Sequence, residues 1–134
     1  MKIEILTLCD AATVDAAGKL NILGAFDRLN APAEPITHAQ CALAVKLRFE
    51  RIEEGQKKIH VTFVNADGAP VMPPIDGTAG VQIEGPESSA AVSFALGIQQ
   101  LKLPKFGEYS IDLAVDGRHE GSVPLFVLPT QLPQ

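Results

Sequence analysis

A chain of 134 residues with a net charge of −5 and 46% hydrophobic residues fits one globular domain and excludes a disordered one. A domain of this size buries about two-thirds of its unfolded surface, so it needs no metal or disulfide staple. The acidic balance argues against nucleic acid and acidic membrane as partners, which need a basic surface, and no apolar run nears the ~20 residues of a membrane helix.

Tryptophan is absent and aromatics are few, so the predicted core is aliphatic. Met1 to Asp10 contains Glu4 and Asp10 and lacks a long apolar run with a cleavage site, which predicts a cytoplasmic protein with no secretory signal. Residues 2–10 alternate imperfectly, with Ile3 and Ile5 on one face and Leu6 and Leu8 on the other, as in a strand covered on both sides. Ala11 to Lys19 reads as a loop of small residues. Residues 20–29 read as the returning strand, in which Gly24 signals a bulge or a close approach of backbone. Residues 30–37, with Pro32 and Pro35, form a connection. Cys41, Leu43, Val45, Leu47 and Phe49 give the longest inward stripe, with Lys46, Arg48 and Glu50 opposite.

Glu53-Glu54-Gly55 is a turn. Ile59, Val61 and Phe63 point inward, and Ala66-Asp67-Gly68 turns the chain again. Pro70, Pro73 and Pro74 restrict their segment to a short edge, because proline cannot donate to a ladder. Val81 and Ile83 suggest a modest strand ending at Gly85-Pro86, and Val92, Phe94, Leu96 and Ile98 another inward stripe. Tyr109, Ile111, Leu113 and Val115 alternate with Ser110, Asp112, Ala114 and Asp116. Asp116-Gly117 supplies the positive φ angles of a tight hairpin. The last strand covers about 118–128, with Val123, Leu125 and Val127 inward. Tyr109, the only tyrosine, follows Gly107 at a strand start, which resembles the tyrosine corner of Greek-key sandwiches. The predicted fold is all-β: a single antiparallel β-sandwich over residues 1–134, Ig-like or Greek-key, of about seven to nine strands. A closed barrel is the alternative.

Candidate chemistry is sparse. His38, His60 and His119 match no metal-ligand spacing. Ser88, Ser89 and Ser93 lie in no nucleophile elbow. Gly77-Thr78-Ala79-Gly80 lacks the lysine of a phosphate loop, and Asp67, Asp76 and Asp116 lack calcium-loop spacing. Cys9 and Cys41 read as buried free thiols. No metal, cofactor or catalytic residue is predicted. The outward parity of two core strands carries small residues instead of charges: Ala42, Ala44, Ala91, Ser93, Ala95 and Gly97. Such a flat face suits a covering loop, a partner chain or a ligand groove, and these six form the candidate interface.

The segments Met1 to Asp10, Lys19 to Asp27, Leu47 to Gly55 and Gly107 to Gly117 together resemble a family of small bacterial proteins, domain of unknown function 6941. The resemblance implies a stand-alone bacterial domain and brings no activity and no site residues. The expectation is a non-catalytic binding or assembly module, self-associating as a homodimer or joined to another protein. The alternative is a small-molecule-binding or hydrolytic protein with a site in loops 30–37, 70–77 and 99–106.

Overall fold

The computed structural model describes residues 1–131, arranged as two packed sheets. The strands are β1 (Lys2–Val14), β2 (Leu20–Phe26), β3 (Arg28–Ala31), β4 (Ile36–Glu50), β5 (Gly55–Val64), β6 (Ile75–Val81), β7 (Ser89–Leu103), β8 (Gly107–Val115) and β9 (Arg118–Pro129). A single 3₁₀ turn, Arg51–Glu53, links β4 to β5. The first sheet has the order β2-β1-β4-β7 and the second β3-β9-β8-β5-β6. The chain crosses between sheets after β2, β3, β4, β6 and β7. The core order, β1-β4-β7 facing β9-β8-β5-β6, is that of an Ig-like sandwich in which β1, β4 and β7 take the A, B and E positions and β5, β8 and β9 take C, F and G.

The predicted inward stripes form the core. Cys41, Leu43, Val45, Leu47 and Phe49 of β4 pack with Ile59, Val61 and Phe63 of β5, Ile111, Leu113 and Val115 of β8, and Leu125 and Val127 of β9. Each strand has the period of two because one face meets the opposite sheet. Asp116 (φ 52°) and Gly117 (φ 79°) make the two-residue turn between β8 and β9.

Several segments differ from the sequence reading. Ala11 to Val14 is not loop; it continues β1, and only Asp15 to Gly18 turns, with Asp15 Oδ1 accepting the N–H groups of Ala17 and Lys19 at 2.9 Å. The predicted strand 20–29 is two strands. The chain leaves the first sheet at Asp27, and β3 runs parallel to β9 in the second, a pairing that no local pattern encodes. β6 starts at Ile75, just after the prolines, and not at Val81. β7 extends to Leu103, so Leu101 and Leu103 are core residues and not loop. The inward parity changes between Ile98 and Leu101, where Gln100 has a φ of 52°.

Tyr109, the third residue of β8, has its ring buried at 3% exposure and packed edge-on against Phe63. Its hydroxyl donates to the Lys105 carbonyl at 2.6 Å and accepts from the Lys105 N–H at 3.3 Å. This closes the corner that carries the chain from one sheet to the other. Tyr109→Phe is expected to cost about 1 kcal/mol, and toward ~3 kcal/mol if the Lys105 carbonyl is left buried. Urea denaturation checks this, and an unchanged midpoint contradicts it.

Candidate functional site

The six small residues lie on the strands that form the centre and one edge of the first sheet. β4 and β7 pair in register, so Ala42 faces Gly97, Ala44 faces Ala95, Lys46 faces Ser93 and Arg48 faces Ala91. Because Cys41, Leu43 and Val45 enter the core, Ala42 and Ala44 occupy the opposite, outer face. The parity is as expected, but the exposure is not. Ala42 is 6% exposed and Ala44 0%, both buried with Cys9 against Ala12 and Leu20. Ala91 and Gly97 are exposed, and Ser93 and Ala95 are half-buried. The reading of Ala42 and Ala44 as open surface is therefore corrected: the chain covers that part of the face with its own β1–β2 hairpin.

The cover follows from a change of face midway along the hairpin. Leu8 and Phe26 pack on the main core, whereas Ala12 and Leu20, at the same parity, pack on the outer cluster. Between them, Gly24 has a φ of +68°, and the Asp10 carboxylate occupies the space that a Cβ at Gly24 would fill. The sequence reading of Gly24 is a bulge or a close approach of backbone; the structure instead shows a left-handed glycine in unbroken register with a side chain, that of Asp10, lying close. Beyond this point the ribbon lies across the sheet, bringing β2 close to both β4 and β7 although β1 separates them in sheet order. Alanines 42 and 44 permit this approach, since larger side chains would lift the hairpin away.

The far part of the hairpin is itself apolar and open. Val14 is 40% exposed, Ile22 37% and Leu23 69%; these are three of the four large hydrophobic side chains exposed among the described residues. The fourth, Ile52, stands alone on the 3₁₀ turn. β2 is the outermost strand of its sheet and carries no charged residue. Its flanking residues, Lys19 and Asp27, are exposed.

The other candidates separate in space. His38 lies on β4 beside the Phe26 ring, with centroids 5.8 Å apart. His60 and His119 lie on the second sheet, each directly opposite Ala114 on β8. His60 Nδ1 is 2.5 Å from Asp76 Oδ1. No group of three or more metal-ligating side chains occurs among the described residues. Ser89 Oγ accepts a hydrogen bond from Arg48.

Asp112, Ser122 and His119 form a cluster that sequence reasoning missed. Ser110 and Ser122 donate to Asp112 Oδ1 at 2.7 and 2.6 Å, and Ser122 Oγ is 3.4 Å from His119 Nε2. The signal lies in register, since Asp112 pairs with Ser122 across β8 and β9. In a nucleophilic triad the acid orients the histidine and the histidine takes the serine proton. Here the acid binds the serine hydroxyl directly, so the arrangement is a surface hydrogen-bond network. Asp116 Oδ1 accepts from Lys58 N–H, which is turn chemistry.

Of the end loops, 30–37 and 99–106 meet, with Glu34 Oε2 accepting from Phe106 N–H at 3.0 Å. Much of each predicted loop belongs to strands: Asn30–Ala31, Ile36–Thr37, Ile75–Gly77 and Gln99–Leu103. A hollow of about 260 Å³ lies between Asn65–Asp67 and Pro104–Tyr109. A larger apolar slot of about 330 Å³ opens between β6 and β7, walled by Ile75, Ala79, Val92, Phe94 and Leu96 over Ile59.

Fold and surface together define an Ig-like β-sandwich with one sheet face partly covered by its own hairpin and one uncharged apolar edge. The chain belongs to a family of unknown function, DUF6941, whose family model matches residues 4–128. No curated protein and no solved structure matches the chain.

Cys9 and Cys41 are buried free thiols. They sit on opposite faces of the first sheet, Cys41 in the core and Cys9 in the outer cluster. Burial pushes the Cys41 thiol up to about 11, with a smaller contribution from nearby Cys9, and burial also raises Cys9. Reaction needs the thiolate, so both thiols are expected to resist an aromatic disulfide reagent at pH 8 in the folded protein and to react once it is unfolded in urea. Fast labelling of either in the native state contradicts this. Ala44→Glu is expected to bury an unpaired carboxylate beneath the hairpin and cost several kcal/mol. A folded variant of unchanged thermal stability would show that the hairpin does not cover Ala44.

Proposed function

We propose that this chain is a non-catalytic binding or assembly module that associates with itself in the bacterial cytoplasm. The supporting observation is the hairpin of β1 and β2, which holds three of the four exposed large hydrophobics among the described residues and whose edge strand, β2, carries no charge. Exposed apolar surface of this kind marks interaction sites. Ala91 and Gly97, both exposed, extend the small-residue face beside the covered part. Free buried thiols accord with a reducing compartment. No helix among the described residues is long and apolar enough to cross a membrane.

The polar clusters support the non-catalytic part of the reading. His60 is held by Asp76, Ser122 by Asp112 and Asp116 by the Lys58 backbone, and each contact stabilises a strand pair or turn. A small-molecule reading draws on the slot between β6 and β7. Its lining has Asp76 as its only ionisable side chain, which suits retention of an apolar molecule better than hydrolysis.

Sedimentation velocity across a dilution series tests the assembly reading. A dimer at micromolar concentration that dissociates on dilution is expected, with cyclic two-fold symmetry as the commonest closed arrangement. A monomer at every concentration overturns it.

A further inference from the structure

We infer that two copies of this chain join through β2, edge to edge and antiparallel, about a two-fold axis at Leu23. This rests on the self-association reading and names its surface and register.

An open sheet edge displays unpaired N–H and C=O groups and invites another strand, and natural edges are protected by charge, proline or shortness. β2 runs for seven residues, Leu20-Asn21-Ile22-Leu23-Gly24-Ala25-Phe26, with none of these protections. Its alternation can be counted from the hairpin turn. The Lys19 carbonyl accepts from Asp15 N–H at 3.0 Å, so Lys19 directs its backbone groups toward β1. In an antiparallel ladder the next residues alternate, so Leu20, Ile22, Gly24 and Phe26 direct theirs away from β1, to the open side.

A second β2 that uses the full strand pairs Leu20 with Phe26 and Ile22 with Gly24. All four are residues whose backbone groups face outward. Leu23, at 69% exposure, then meets its own copy on the axis, where side chains approach most closely. The same register places Lys19 of each copy opposite Asp27 of the other. Both residues are exposed, and neither forms an ion pair among the described residues. One register therefore satisfies the backbone, the apolar centre and the flanking charges. The symmetry repeats each contact, which favours a second copy over an unrelated strand. The product is a continuous eight-stranded sheet, β7-β4-β1-β2 followed by the same strands in reverse.

The test is sedimentation equilibrium of the full chain and four variants, with thermal unfolding recorded for each. Leu23→Arg is expected to give a monomer of nearly unchanged thermal stability, since the side chain is open in the single copy. Lys19→Glu and Asp27→Lys each set like charges opposite one another twice, and each is expected to weaken the dimer between about two-fold and thirty-fold, from 0.2–1 kcal/mol per cross-strand pair. The double exchange, Lys19→Glu with Asp27→Lys, is expected to restore wild-type association. If the wild type dimerises and Leu23→Arg does so equally, the β2 edge is overturned while self-association stands. If Leu23→Arg dissociates but the double exchange restores nothing, the register is overturned. A wild-type monomer at all concentrations defeats both, whatever other peptide the edge then binds.

Discussion

The structure depends on burial of β4 from both sides. β4 is hydrogen-bonded by β1 along one edge and β7 along the other. Its inner stripe from Cys41 to Phe49 fills the space between the sheets, while Ala42 and Ala44 lie under the hairpin on the other face. Each large aliphatic or aromatic side chain so buried contributes about 1.5–3 kcal/mol. A slip of one residue would turn the large side chains outward and force alanines into the core, so the register is fixed by size on two faces at once.

The two outer faces of the sandwich follow different rules. On the second sheet, Thr62, Asp112 and Ser122 form a row, and Asp112 accepts from Ser110 and Ser122. Such a face is stable in water. On the first sheet Ala42 and Ala44 are small and apolar, and they depend on the far half of β1 and β2 for cover. The cover requires the hairpin to change face, which Gly24 permits through a backbone angle that other residues adopt at a cost. The ribbon that shields Ala44 thereby exposes Ile22 and Leu23 along the boundary of its sheet. Stability of the face and the apolar surface available for association come from the same folding-over.

The four sheet edges are managed unequally. β3 is short and followed by Pro32, and β6 is preceded by Pro73 and Pro74 and interrupted by Gly77 and Gly80. β7 carries the backbone irregularity at Gln100 and lies near β6 across the mouth of the sandwich. β2 has only the kink at Gly24. Protection on three sides and an open fourth edge accords with the proposed assembly through β2.

The inward stripes of β4, β5, β8 and β9, the Asp116-Gly117 turn and the Tyr109 corner were determined by sequence alone, because each rests on period-two burial or on local backbone chemistry. The parity of all six small residues was legible for the same reason. Their exposure was not, since burial of Ala44 depends on Leu20, 24 residues away in sequence, and on a turn of the ribbon at Gly24. The parallel pairing of β3 with β9 joins segments nearly a hundred residues apart, and the Asp112–Ser122–His119 network exists only through the register of β8 with β9. Local patterns report which face of a strand is apolar. Which surface covers that face, and which edge stays open, is decided by the packing of distant segments.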